Sequence, residues 1–465
     1  MSVWSQPRCL PVRCHKGVFA VLLVLVPGAA RAQQTISLEQ SVRLALAMNP
    51  SLQAAEEGAK AAQARLGVAR SAWAPRVDFV QDFTRGNNPV YVFGTLLTQR
   101  RFTAANFALG SLNTPTPVDN LATRVEGKLM LFDSRRTRLQ VREAVKEKTA
   151  ADWETEQARQ DLILRVVVAY DDVLLADQNV RAGEEALRAA EANSEQVGNL
   201  HQAGQVVDSD LLSAKVFLSQ IRTRDIQAKN RLALAQLSFS RELGLGLDDL
   251  RQPAGTLTER PLAEKTAPEW EQSALAHRPA LRMAQLHAQA SADQQSRARA
   301  EFGPKLGLFA DLERDATTLG GPSGTNWNAG ARLELNLLAG GADRNRLVEA
   351  QAGKRQADRQ LDWVESGVRV EVRQALLDLE AARARAQAAR DAVEQARESL
   401  RIVQNRYTAG LTTVTELLRA QTAQLDIQTD YLAALHDWHV AMARLEHAAG
   451  LLTLDSDVIR GTEAP

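Results

Sequence analysis

The sequence predicts a mainly α protein with a small β part: duplicated long α-helical hairpins, each half also supplying a pair of short strands. Three observations carry this. Positions 118–252 and 323–464 hold no proline, and such runs of 135 and 142 residues favour very long helices over compact mixed domains. The two halves share residues at an offset of 229 and then, past one longer loop, at a constant 206. Short segments ahead of each proline-free run alternate apolar and polar residues, the period of a strand.

Composition narrows the class. A chain of 465 residues ordinarily holds about two to four globular domains, yet aromatics are only 5% and the 15 prolines are unevenly placed. Lys+Arg and Asp+Glu are both 56. Four of the basic residues, Arg8, Arg13, Lys16 and Arg31, lie in positions 1–32 with no acid among them. Positions 33–465 therefore carry 52 basic against 56 acidic residues, a balance of −4. That is not a polyanion-binding charge, no Lys/Arg run marks a nucleic-acid footprint, and no nucleic-acid partner is expected.

Residues 1–32 read as a signal peptide. Arg8, Arg13 and Lys16 precede an apolar run from Val18 to Val26, and Ala30-Arg31-Ala32 offers an A-x-A cleavage site. Both cysteines, Cys9 and Cys14, fall before that run, so the mature chain has no thiol. Disulfides, thiolate metal sites and cysteine nucleophiles are excluded. Beyond residue 33 no apolar stretch approaches the length of a transmembrane helix. Any membrane contact must use another architecture.

The duplication organises the rest. Ala45-Leu46-Ala47, Pro50, Leu52 and Pro75 recur as Ala274-Leu275-Ala276, Pro279, Leu281 and Pro304, an offset of 229. From Leu129 onward the offset is 206: Arg138, Glu143, Ala144 and Lys148 match Arg344, Glu349, Ala350 and Lys354. The 23-residue difference lies between Pro75 and Leu129, so the first repeat has one longer loop. The first repeat spans 33–245, with strands at about 76–85 and 122–132 and a helical hairpin at about 135–243. A linker at 246–268, marked by Pro253, Pro261 and Pro268, leads to the second repeat at 269–452. Its strands are expected at about 305–314 and 328–338, its hairpin at about 341–449, and 453–465 is a C-terminal tail.

Within each half a helix of about 24 residues starts at Pro50 or Pro279 and stops before the next proline. The strands follow: Val77 to Phe83 in the first half, and Leu306, Leu308, Ala310, Leu312 then Ala329, Ala331, Leu333, Leu335, Leu337 in the second. Such alternation suits barrel strands, but taken alone it favours a soluble half-buried hairpin, because the barrel signal is weak per segment. The long helices carry a coiled-coil seam. Leu162, Val166, Ala169, Val173, Ala176, Val180, Gly183, Leu187 and Ala190 are spaced 4-3-4-3, and every counterpart from Val368 to Ala396 is apolar. From Arg135 to Leu200 the helix would hold roughly 66 residues and reach about 100 Å. Gly204 and Gly410 then reverse the chain into helices of about 30 residues, ending at Gly244 and Gly450.

Four strands cannot close a barrel, and open edges cannot face lipid. Membranous strands would need several chains to pool them, and three chains would give a barrel of 12 strands with a lumen. At this point the residues resemble a family. The duplicated order, the prolines 25 residues apart, and the glycine turn followed by Asp210-Leu211-Leu212 or Glu416-Leu417-Leu418 look like the TolC-type outer-membrane efflux proteins, over residues 36 to about 452. The resemblance implies a homotrimer with a 12-stranded outer-membrane β-barrel and a periplasmic α-helical tunnel. It implies an exit duct for a tripartite exporter, docked on a periplasmic adaptor (membrane fusion) protein and an inner-membrane pump. The stretch from Asn88 to Phe102 resembles a loop found in a subset of the family, extracellular or pore-capping by analogy, while a plain ordered surface loop is the simpler and favoured reading.

The resemblance also points to residues. The tips around Gly204 and Gly410 would meet the adaptor's helical hairpins. In the family, acids six and nine residues after the second tip glycine narrow the tunnel; here those positions are Glu416 and Arg419. Asp210 matches a further acid and Tyr407 an aromatic of the closed state. Arg419 departs from the pattern and, at i, i+3, would partly neutralise Glu416. Rings of Asp210 and Glu416 about a threefold axis would favour cations, while as acids at helix N-termini both are also favoured without any such role.

Other candidates carry less. His436-x-x-His439, with His447 beyond, lacks a third convergent ligand, so no metal and no cofactor is assigned. Trp73 and Phe302, each two residues before a repeat proline, suit an aromatic belt or core packing. No phosphate loop, nucleophile elbow or zinc-protease signature occurs, and no enzyme activity is expected. Two other readings compete with the duct. A periplasmic coiled-coil adaptor would carry one hairpin between all-β modules, and a secreted structural coiled coil would need no alternating segments.

Overall fold

The computed structural model describes residues 35–259 and 265–460. The signal peptide expected at 1–32, with both cysteines, lies outside them, as do Pro261 and the last five residues of the tail. The first half runs β1 (Thr35–Ile36), α1 (Leu38–Met48), α2 (Pro50–Ser71), β2 (Arg76–Gly86), an insert holding α3 (Pro89–Thr98) and α4 (Leu109–Asn113), β3 (Val118–Phe132), α5 (Arg136–Gln202) and α6 (Asp208–Glu242). The second runs β4 (Gln252–Pro253), α7 (Ala267–His277), α8 (Pro279–Ala300), β5 (Lys305–Ala316), β6 (Ser323–Glu334), α9 (Ala342–Thr408), α10 (Val414–Ala448) and α11 (Asp457–Arg460).

Local chemistry explains the starts. Ser37 caps α1 and forms a capping box with Gln40. Asn49 caps α2, its Oδ1 accepting from the Ser51 N–H at 2.8 Å, and Pro50 takes the first helical turn, where its missing N–H costs nothing. The helices α5 and α9 hold 67 residues each, and α6 and α10 hold 35 each. At 1.5 Å per residue the longer pair reaches roughly 100 Å. The seam is buried in the first half from Leu162 to Val180 and at Ala190; in the second it is buried from Val368 to Ala386 and half-buried beyond.

The main core forms a collar part-way along the rod. Leu38, Leu162, Val166, Tyr170, Phe239, Leu445 and Leu452 lie fully or almost fully buried there, and burying each such side chain is worth about 2 kcal/mol. The Tyr170 hydroxyl donates to the Ala254 carbonyl at 2.6 Å, fixing the connector between halves. That connector is more than a linker: β4 pairs in parallel with β1. In the described part of the tail, α11 seats Val458 and Ile459 in the same core. The sequence announced neither element, because pieces this short carry no periodicity. Gly244 and Gly450, both at positive φ, approach the α1–α2 and α7–α8 junctions. A Cβ there would stand 2.7 Å from the Met48 backbone or 2.8 Å from that of His277.

Four strands form one antiparallel sheet in the order β2-β3-β5-β6, so the halves join at the β3–β5 pair and β2 and β6 are edges. β6 occupies 323–334 rather than the expected 328–338. A short turn sets Ala316 against Ser323, which fixes where pairing begins, and Gly340 and Gly341 turn the chain away despite continued alternation at Leu335 and Leu337. The register places Phe79, Val125, Leu312 and Trp327 across one face and Asp78, Glu126, Asp311 and Asn328 across the other. The apolar face is open: Phe79 is 67% exposed, Leu333 70% and Trp327 74%. A soluble half-buried hairpin would cover it. On the charged face Arg124 pairs with Glu313 at 3.1 Å.

Candidate functional site

The rod has two functional ends: the sheet at one, the helix reversals at the other. Each reversal is built the same way. The Gln205 N–H donates to Leu200 O at 2.9 Å and the Leu411 N–H to Arg406 O at 2.8 Å, six-to-one bonds that need a left-handed residue between. Gly204 and Gly410 supply it, each at φ 71° with open space where a Cβ would be.

After the first reversal Asp210 sits in the opening turn of α6, where the N-terminal partial charge favours a carboxylate. After the second, Thr413 caps α10 through Oγ1, accepting from the Glu416 N–H at 3.4 Å. Arg419 donates to Glu416 Oε1 at 3.0 Å, and both side chains are more than half exposed. Tyr407 lies between the hairpins, packed on Val197, Ala214 and Val414. Burial, and then the Asp210 charge, push its phenol above the ordinary tyrosine range. Its buried hydroxyl has no hydrogen-bond partner. The structure thus brings Tyr407 to Asp210, and Arg419 to Glu416.

One contact escaped the sequence reading. His201 Nε2 lies 2.5 Å from Asp208 Oδ1, clasping the first reversal across seven residues. The signal was there, a base and an acid flanking a glycine turn, but only the turn geometry brings them together. Just above the tips a cavity of about 190 Å³ is lined by Asn193, Tyr407, Gln421 and Phe217. The Asn193 amide, Gln421 Oε1 and Tyr407 Oη all lack protein partners there, and the volume is large enough for several waters.

The histidines go separate ways. His436 meets Asp172 at 2.9 Å, His439 the Thr258 carbonyl at 2.6 Å, and His447 Asp161 at 2.6 Å. Among the described residues no group of three His, Cys, Asp or Glu side chains is placed to hold a metal ion. Trp73 and Phe302 stand exposed where α2 passes into β2 and α8 into β5. No described helix is long and apolar enough to cross a membrane.

A long helical body ending in two tight reversals, joined to a sheet with one open apolar face, suits a duct. The profile of the outer membrane efflux protein family matches residues 41–245 and 270–451, which is most of the chain. The chain belongs to that family and is an outer-membrane exit duct extending into the periplasm. It is similar to Protein CyaE of Bordetella pertussis, 26% identical over 93% of this chain and 88% of that protein. It is likewise similar to the outer membrane efflux protein BepC of Brucella suis, 24% identical over 95% and 91%. The CmeC outer membrane channel of Campylobacter jejuni shares the fold, with a TM-score of 0.76 at 18% identity over 92% of this chain and 89% of that one.

Proposed function

We propose that three copies close a 12-stranded barrel and a helical tunnel, and that this homotrimer is the outer duct of a tripartite exporter. The observation that carries the reading is the sheet: an apolar face open along all four strands, with unpaired edges on both sides. In lipid both edges must be paired, and a neighbour's β6 on this chain's β2 pairs them. The helices agree. On α6, Leu212, Val216, Ile226 and Leu234 form one exposed stripe, and on α9 Trp363, Val370 and Leu377 form another. Such stripes suit α9 of one copy against α6 of the next.

Cargo would enter at the tips from an inner-membrane pump. A periplasmic adaptor would dock on the reversals at Gly204 and Gly410, where an added Cβ would meet open space. Asp210, Tyr407, Glu416 and Arg419 form the constriction, and its work is electrostatic and mechanical, with no bond made or broken. The Arg419 contact leaves Asp210 as the stronger cation-attracting ring. Asp210→Ala together with Glu416→Ala should shift the reversal potential in planar bilayers toward lower cation selectivity, and an unchanged potential sinks the ring assignment. Recovery of the native protein as a soluble periplasmic monomer ends the trimeric-duct reading.

A further inference from the structure

The insert between β2 and β3 is the one element the duct reading does not use. The two strands pair to their last residues, Gly86 with Val118, so residues 87–117 are a closed excursion at the sheet end far from the helices. The excursion folds back onto the sheet. Gln99, 1% exposed, donates through Nε2 to the Asp119 carbonyl at 2.8 Å and to Asn120 Oδ1 at 2.9 Å. Asn326 Nδ2 reaches the Thr98 carbonyl at 3.3 Å, and Arg100 donates to the Thr325 carbonyl at 3.1 Å.

The register says which face receives it. Asn120, Asp315, Gly324 and Asn326 all belong to the charged face: Asn120 Nδ2 bonds Asp315 Oδ1 at 2.7 Å, and Asn326 Nδ2 bonds Asp315 Oδ2 at 3.2 Å. Gly324 makes room, because any side chain there would run into the Thr98 carbonyl. Charge agrees as well. Residues 87–118 contain Arg100 and Arg101 and no acid, and the wall offers Asp311, Glu313 and Asp315. Phe93, Phe102 and Phe107 stack edge to face at 4.7 and 5.1 Å, so the insert holds its own shape. Its far side is apolar and uncovered: Val90 is 82% and Leu109 77% exposed.

We propose that this insert is a plug on the lumen side of the barrel's outer mouth, its apolar far side meeting the inserts of two other copies near the axis. The proposal rests on the trimeric-barrel reading. Twelve strands about 4.8 Å apart and tilted by about 40° close a ring roughly 24 Å across. Three helices about 10 Å thick against that wall leave no wide passage.

Cysteine accessibility tests it in cells, since the only cysteines of the full chain, Cys9 and Cys14, precede the expected cleavage site. Asn328→Cys and Ala329→Cys are neighbours on opposite faces at one depth. First, in a chain whose residues 88–117 are replaced by a short Gly-Ser turn, a small impermeant maleimide should label position 328 and spare position 329. Equal labelling of both removes the barrel reading, and the plug with it. Second, a bulky polyethylene-glycol maleimide should label position 328 several-fold faster in that chain, and in Gly324→Val, than with the native insert. Equal rates with and without the insert overturn the plug while leaving the barrel intact. The replaced chain keeps the test decisive if Gly324→Val fails to form the oligomer.

Discussion

At the entry to α5, Ser134 and Arg135 stand at φ 56° and 75°, and at the entry to α9 Gly340 and Gly341 stand at 59° and 85°. The same left-handed step is made once with side chains and once without. The tips differ in the same way. At positions related by the 206-residue offset, His201 and Asp208 make a polar clasp in the first half, whereas Tyr407 and Val414 pack together in the second. Helix lengths and turn angles are held equal while the residues that meet them diverge. A shared backbone therefore constrains where glycine or a left-handed residue must stand, and leaves open what chemistry surrounds it.

The sharpest way to break this equivalence is at Gly244 and Gly450. Alanine at either would meet main chain below 3.0 Å at a positive φ, and should cost about 3 kcal/mol or more. Thermal melting of the detergent-purified protein should fall by a similar amount for both; a large loss at one alone would show that the halves are not held alike.

Next in size is Glu446, whose counterpart in the first half is Ser240. Glu446 is 4% exposed, and burial pushes its carboxyl from 4.5 up to about 7, only partly offset by contacts from Ser456 and Val458. Between those values the folded chain keeps a proton that the unfolded chain has released. Its stabilising contribution is therefore full below pH 4.5 and is lost as pH rises through about 7, in total about 3 kcal/mol. Glu446→Gln should flatten the melting temperature across that window and raise it at pH 8. A variant that still loses stability over that range assigns the linkage elsewhere.

The smallest effect refines the comparison. Arg135→Gly should stabilise the first half by about 1 kcal/mol by relieving a left-handed non-glycine residue, and Gly341→Ala should cost the second about as much. Denaturation midpoints moving in the same direction would mean that Arg135 contributes a contact of its own.

Much of this fold was legible because its signals are local. The 4-3-4-3 seam, the prolines at helix starts and the tip glycines each act over a few residues. Asp210, Glu416 and Arg419 carry no such local signal: only the family resemblance, counted from those glycines, points to them. What was not legible depends on pairing across the chain. β3 reaches back to Val118 because β2 extends to Gly86, and residues 118–121 have no alternation to announce it. The β1–β4 pair has two residues per strand, too few for any period. Gln99, in a polar Thr-Gln-Arg-Arg stretch, gives no sign that it is buried on the wall. The His201 clasp and the orphaned polar atoms above the tips needed the turn and the cavity first.

The position of the collar sets how far any swing of the hairpins would move their tips. Its last large core residue on α5, Leu174, lies about 30 residues from Gly204, an arm of roughly 45 Å. Below it, among the described residues, only two small clusters remain, one around Phe217, Ile221 and Leu425 and one at the tips around Val197, Ala214 and Val414, and α9 buries nothing beyond Ala386. A rotation of about 10° at the fulcrum would carry the tip some 8 Å, more than the width of a side chain, while each helix moves as a stiff rod. Stiffness and a remote pivot turn a small angular change into a useful displacement, and the gain is set simply by where the core stops.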